Sequence, residues 1–443
     1  MGLRPSEIVS RLNSSYWFVP LIVTLAGVLL ALVLLLLDSR FPLDSGGPLA
    51  VLRPSSAEGA RALLSAVIGA MITAISVTFS VTIVALTVAA QHFGPRVLNS
   101  FVRQTSAQVV LGTFLATFAY SVLALGAIRG TGTGDDADVP ALAVSGAVLL
   151  VVISIGALIY YVHHISTTLQ IGELAAAIVA DLRDVVSRGE RPSAAAPIDS
   201  VTDIPDPPPD ASPVAALESG YVQRIDYDSI VAVAAERNAV VWIRREPGAF
   251  VVAGTPLALV HPAHACDEVL STACQRAYLV GRDRTFWHDP EFAVNQLVEI
   301  ALRALSPGIN EPFTAITCID RLTEGLALIA TAPQPEPRRV DRAGRVRIWV
   351  RPQTFSRLLR AAFDPIRISA GTNPAIHARL LDSVGELGVI VRAAHDQLLL
   401  HQLADSVARA AERSIIDGED LNHVREKYQQ IVQQLTAPPR RHH

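Results

Sequence analysis

Four stretches of the chain run without Asp, Glu, Lys or Arg for long enough to cross a hydrocarbon layer, which takes about 20 residues. They lie within Asn13–Leu37, Ala62–Pro95, Gln104–Ile128 and Val139–Ser166. The pattern predicts membrane helices over residues 15–37, 62–92, 105–128 and 139–164. The apolar core of the first, Trp17 to Leu37, is too long for the h-region of a signal peptide, and no small-x-small site follows it. It reads as a retained helix, with Tyr16, Trp17 and Phe18 as an aromatic belt at its inner end. The second stretch exceeds what the hydrocarbon requires, so its helix is expected to project beyond the membrane.

After the fourth stretch the periodicity changes. Residues 166–216 read as a connecting helix and a linker that is Pro-, Ala- and Asp-rich over Arg191–Pro213. Residues 217–262, rich in Val, Ile and Tyr, read as short strands, and residues 263–443 as a mostly helical domain. Apolar spacing places Leu297, Ile300, Ala301 and Ala304 on one helix face and Ile316, Ile319, Leu322 and Leu326 on the next. Val346, Ile348 and Val350 alternate as a strand before a helix through Phe355, Leu358, Leu359, Ala362, Phe363 and Ile366. Leu421, Val424, Tyr428, Ile431 and Leu435 repeat at the spacing of helix–helix packing. The expected fold is an α-helical membrane domain of four transmembrane helices plus a cytoplasmic α+β region with a small β-sandwich-like module.

Composition sharpens this division. Half of the 443 residues are hydrophobic, 18% are charged and the mean hydropathy is +0.36. The first 165 residues hold 8 Lys/Arg and 7 Asp/Glu, whereas the remaining 278 hold 29 and 34. Only the second part approaches the roughly 25% charged residues of a soluble domain. Arg4, Arg11, Arg96 and Arg103 stand against Asp135, Asp136 and Asp138, which predicts a multi-pass membrane protein with both termini cytoplasmic. Arg40, Arg53 and Arg61 oppose that orientation.

Charge and residue counts also exclude functions. A net charge of -4 provides no global basic field, against a nucleic-acid partner. Cys266, Cys274 and Cys318 are too few for a disulfide framework. Lys427 is the only lysine and follows Glu426, so there is no Walker A loop and no suitable carrier lysine. Neither a Gly-x-Ser-x-Gly elbow nor a His-Glu-x-x-His helix occurs. No catalytic residue, metal site or cofactor is assigned, and an enzyme drawing on Asp289, Glu291, Glu299 or Glu311 is the least supported reading.

The most informative candidate residues lie in the second apolar stretch. Thr73, Ser76, Ser80, Thr87 and Gln91 share one face of a helix, with Ile75, Phe79, Ile83 and Leu86 on the opposite side. In a bilayer such a stripe faces protein or water. It either packs among the four helices or walls a polar permeation path. His163 and His164 close the fourth helix, and His92 closes the second. Each serves as an interfacial anchor or as a gating or pH-sensing group. His261, His264, Cys266 and Asp267 resemble a metal cluster only on paper and read as a solvated loop. Asn310 is expected to cap the helix that follows Ser306-Pro307-Gly308. The alternative there is a small-ion or anion site built from Arg303, Asn310, Glu311 and Thr314.

Two resemblances follow from these residues. Gly248-Ala-Phe-Val-Val-Ala-Gly254-Thr-Pro-Leu257, with Gly220-Tyr-Val, is similar to the half-motif of lipoyl/biotinyl-like β-sandwiches, which implies a structural module without its attachment lysine. Phe79-Ser-Val-Thr-Ile-Val-Ala-Leu with Gln91-His-Phe-Gly-Pro-Arg-Val-Leu, and Val110-Leu-Gly-Thr-Phe-Leu-Ala-Thr-Phe-Ala-Tyr, resemble the bacterial membrane proteins grouped as domain of unknown function 2254. Ile159-Tyr-Tyr-Val-His-His-Ile and Ala304-Leu-Ser-Pro-Gly-Ile-Asn-Glu-Pro-Phe-Thr-Ala extend the likeness over nearly the whole chain. Glu311 stands where the family pattern more often has Asp. The resemblance implies an integral membrane protein and supplies no activity.

Two functional expectations follow. One is a homo-oligomeric ion channel or transport-like protein gated by its cytoplasmic region. The other is a membrane-anchored ligand-binding or scaffold protein that does not conduct. The expected partners are the lipid bilayer, further copies of the chain, and a small ion or anion.

Overall fold

The computed structural model describes residues 17–40, 56–93, 105–129, 139–168, 171–188, 204–333 and 336–436. Two compact units divide the chain between Gln170 and Ile171.

The first unit holds α1 (Phe18–Arg40), α2 (Ala57–Phe93), α3 (Thr105–Ala127) and α4 (Ala141–Thr168). All four are long and apolar enough to cross a membrane. The 37 residues of α2 make it roughly 55 Å long at 1.5 Å per residue, well beyond a hydrocarbon core of about 30 Å. α3 is the central helix: α1 runs along it, α2 and α4 pack against it, and α4 also meets α1. Much of the inner packing is alanine, through Ala31, Ala57, Ala60, Ala124, Ala143 and Ala147, beside Leu64 and Tyr120. Small side chains bring the helix backbones close, which is how packing is gained where lipid is as apolar as the protein.

The second unit opens with α5 (Ile171–Arg188), whose Ala175, Ile178, Val179 and Leu182 are buried. Then follow β1 (Ser212–Ala215), β2 (Gly220–Ile225), α6 (Tyr227–Glu236), β3 (Val240–Ile243), β4 (Phe250–Val251), β5 (Pro256–His261), α7 (Glu268–Ala277) and β6 (Tyr278–Gly281). The chain continues through α8 (Pro290–Ala304), α9 (Pro312–Thr331), β7 (Arg338–Val340) and β8 (Val346–Trp349). It finishes with α10 (Phe355–Ser369), α11 (Pro374–Ile390), α12 (Ala394–Ser414) and α13 (Gly418–Thr436).

The strands form a five-stranded sheet in the order β1-β5-β3-β8-β7 and a three-stranded sheet in the order β4-β2-β6. All pairings are antiparallel except β3 with β8, where Val241 lies opposite Ile348. The sheets therefore draw strands from beyond residues 217–262. One segment expected as strand is helical: Asp226 accepts the Ser229 N–H at 3.2 Å and caps α6, which buries Ile230 and Ala234. Val214, Val222, Ile230, Val241, Leu257, Leu270, Tyr278 and Ile348 form one core between the sheets and helices α6 and α7.

The predicted helix faces lie inside. Leu297, Ile300, Ala301 and Ala304 of α8 are buried, as are Ile319, Leu322 and Leu326 of α9. All six apolar positions predicted for α10 are buried as well. α5 packs on α8 and α9, and α11 is flanked by α9, α12 and α13.

Candidate functional site

Four residues of the predicted hydroxyl stripe stand on one exposed side of α2. Thr73, Ser76, Ser80 and Thr87 are all exposed in the protomer, and none of them is used to pack the four helices. The buried positions of α2 are Ala57, Ala60, Leu64, Met71, Thr78 and Ala85. At 100° per residue these two sets fall on nearly opposite sides of the helix. Phe79 and Ile83, placed by the sequence on the side away from the stripe, are about half exposed. The side chains of Gln91 and His92 lie outside the described residues.

Three of the four hydroxyls are satisfied within α2. The Thr73 hydroxyl donates to the Gly69 carbonyl at 3.1 Å, Ser76 to Ile72 at 2.9 Å and Thr87 to Ile83 at 2.8 Å. Such bonds to the preceding turn let a hydroxyl stand in an apolar surrounding without a partner from another helix, while its oxygen still accepts. The stripe continues upward over small residues: Ser65, Ala66 and Gly69 are also exposed, and a Cβ at Gly69 would meet nothing within 4 Å.

At the end of α4, His164 lies parallel to Tyr160 with ring centroids 5.5 Å apart, and His163 is exposed. Tyr161, which the spacing does not single out, is buried and bonded to α2 through Thr78 and Thr82. The adjacent tyrosines in an otherwise apolar segment were the available signal.

The turn between α8 and α9 corrects one expectation. Asn310 does not cap α9. It adopts φ of 51°, a left-handed conformation that asparagine tolerates, and Glu311 occupies the N-cap position. Pro312 imposes this arrangement, because it suits the first helical position and keeps the residue before it out of the helical region. The turn closes through Ser306, whose carbonyl accepts the Asn310 N–H at 2.9 Å, and through the Glu311 N–H, which donates to the Ala304 carbonyl at 2.8 Å. The Arg303 carbonyl accepts the Ser306 hydroxyl at 2.7 Å. Of the four candidate ligands, Thr314 and Glu311 are brought together, the hydroxyl donating to the carboxylate at 3.1 Å. Phe313 beside them is 81% exposed.

The remaining acidic candidates are engaged in the architecture. Asp289 is buried, caps α8 by accepting the Phe292 N–H at 3.2 Å, and lies 2.7 Å from Arg284. Gln353 donates to it at 3.2 Å. Burial pushes the Asp289 carboxyl up, opposed by the Arg284 guanidinium. Arg357 joins Glu291 at 2.7 Å to Glu246 at 2.9 Å, and burial likewise raises Glu246. Asp267 caps α7 through Leu270 at 2.8 Å and holds Arg237 at 2.9 Å, while His261 faces Asp210 at 3.3 Å. Among the described residues, no three His, Cys, Asp or Glu side chains converge as metal ligands.

These four apolar helices with a large downstream region match a known family. A family model described as predicted membrane protein, DUF2254, aligns with residues 13–386. Two relatives, the uncharacterized protein Rv1290c of Mycobacterium tuberculosis and the uncharacterized protein Mb1321c of Mycobacterium bovis, are each 31% identical over 424 residues. Those alignments cover 94% of this chain and 80% of each relative. No solved structure matches. The chain belongs to the DUF2254 family of predicted membrane proteins.

Proposed function

We propose that the protein is a homo-oligomeric channel or transport-like protein of the bacterial inner membrane. In this reading α2 lines a polar path through Thr73, Ser76, Ser80 and Thr87, both termini are cytoplasmic, and residues 171–443 sense or gate.

The observation that carries the reading is the exposure of the hydroxyl stripe on the side of α2 opposite its packed face. Packing within the protomer leaves these residues unused, so their surroundings are lipid, a second copy or water. Copies of α2 arranged about an axis would place the hydroxyl oxygens of Thr73, Ser76, Ser80 and Thr87 along that axis. Such a lining suits the passage of small ions or polar solutes, because neutral acceptors stabilise them without trapping them.

Reconstituted full-length protein in liposomes is expected to pass small ions, and Ser80→Leu is expected to reduce that flux severalfold. Liposomes that stay sealed under varied salts and pH, or full flux in the Ser80→Leu variant, would overturn the reading.

A second reading, a membrane-anchored binding protein, is favoured by Phe313, a large aromatic side chain held in solvent beside the α8–α9 turn. The Glu311 carboxylate at the start of α9 makes that turn unfavourable for an anion. An apolar group of a protein or peptide partner suits it better. A partner whose affinity falls in Phe313→Ala while flux is absent would support this reading over conduction.

A further inference from the structure

Tyr161 lies within the membrane unit with only 2% of its surface exposed. Its hydroxyl donates its one proton to the Thr82 hydroxyl oxygen and lies 3.2 Å from the Thr78 carbonyl oxygen. Thr82 in turn donates to the same Thr78 carbonyl at 2.7 Å. Three oxygen atoms from α4 and α2 thus form a relay, Tyr161 to Thr82 to the Thr78 carbonyl, on the packed side of α2 among Met71, Val110 and Phe114. A hydroxyl that loses such partners in an apolar surrounding has no water to replace them, so the relay resists separation of the two helices.

The beginning of α4 is held as well. The Asp38 carboxylate at the end of α1 accepts the Leu142 N–H at 3.1 Å and the Ala143 N–H at 3.0 Å. The Tyr120 hydroxyl donates to the Ala143 carbonyl at 2.8 Å. Tyr161 lies roughly 30 Å further along the helix.

We infer that Tyr161 is the coupling residue that carries a displacement of α4 to α2. The inference rests on the polar-path reading and names how that path is regulated. A displacement of α4 reaches α2 through the Tyr161 hydroxyl, which acts on Thr82 and through it on the α2 backbone at Thr78. The hydroxyl stripe lies on the other side of that same turn, so a shift there re-aims Ser76 and Ser80.

The test uses the full chain in liposomes, with Ser80→Cys as reporter, Cys266→Ser to remove the half-buried native thiol, and a hydrophilic maleimide as probe. Tyr161→Phe, which removes only the hydroxyl, is expected to change the labelling rate at position 80 by about threefold, the size of one interhelical hydrogen bond in a bilayer. Thr82→Val is expected to do the same, and the double variant no more than either. Tyr120→Phe, which removes a different bond to α4, should leave the rate unchanged. A rate indifferent to Tyr161→Phe, or equally altered by Tyr120→Phe, overturns the coupling and leaves the path reading standing. If position 80 labels in denatured protein but in no liposome sample, the path reading fails and the coupling falls with it.

Discussion

Gly27 of α1 faces Ala116 of α3 so closely that a Cβ added at Gly27 would stand 2.7 Å from the Ala116 Cβ and 3.0 Å from its Cα. Gly112 of α3 is met in the same way by Val23 and by the Cα of Pro20. The crossing of α1 and α3 thus depends on two missing side chains. Gly27→Val forces the helix backbones apart and is expected to destabilise the membrane unit by about 1–3 kcal/mol. A lower thermal midpoint of the purified protein in detergent checks this, and an unchanged midpoint would show that the crossing is not tight.

Gly69 of α2 offers the contrast, since a Cβ there meets nothing in the protomer. It shares the exposed side with Ser65, Thr73, Ser76 and Ser80. Gly69→Leu is expected to leave protomer stability within roughly 0.5 kcal/mol, as an ordinary surface substitution does. If copies of the chain meet along this side, the same change lowers the oligomer mass measured in mild detergent. Retention of both mass and stability would place the contacts between copies elsewhere.

Asp289 makes a different demand on its neighbours. It is buried, and Gly248, at φ of 87°, approaches it so closely that a Cβ would collide with the carboxylate. Asp289→Ala leaves the Arg284 guanidinium without its carboxylate and removes the cap of α8, a loss of about 3–5 kcal/mol. Asp289→Asn keeps the cap and sheds a charge that burial already disfavours, so its cost is expected to be smaller. Chemical denaturation of both variants checks the order. Equal losses would mean that the charge, rather than the cap, is what matters.

Much of the architecture was legible because periodicity is local. The faces of α8 and α10 could be marked from apolar spacing alone, since each helix buries one stripe against a single core. Helix α6 was hidden because Ile230, Val231 and Val233 favour strands intrinsically, while the Asp226 cap and burial of Ile230 and Ala234 decide otherwise. The pairing of Val241 with Ile348 had no signal, because parallel neighbours are chosen by tertiary contact across a long stretch of chain. The same holds for Arg357, which meets Glu246 and Glu291, and for Tyr161 with Thr78. Of the candidate site, the spacing showed that Thr73, Ser76, Ser80 and Thr87 share a face. It could not show which side of α2 packs, because alanine, valine and isoleucine occur all around it.

The last prediction concerns acid. The Asp341 carboxylate accepts the N–H groups of Arg345 at 3.0 Å and Ala343 at 2.9 Å, and the guanidinium of Arg347 at 2.9 Å. Arg347 is buried and also donates to Asn238 Oδ1 at 3.1 Å and the Ala239 carbonyl at 3.2 Å, tying the β7–β8 turn to the start of β3. The backbone bond from Arg345, and then Arg347, hold the Asp341 carboxyl down at about 2. A carboxyl with a lower pKa folded than unfolded stabilises the fold above its unfolded value of about 4, and loses that contribution as the pH falls through its folded value. Stability of the second unit is therefore expected to drop between about pH 4 and pH 2. Asp341→Asn should be less stable than the parent at neutral pH and should show a shallower decline over that window. Denaturant titrations at a series of pH values measure both curves. Parallel curves for parent and variant below pH 4 would rule out Asp341 as a source of the acid sensitivity.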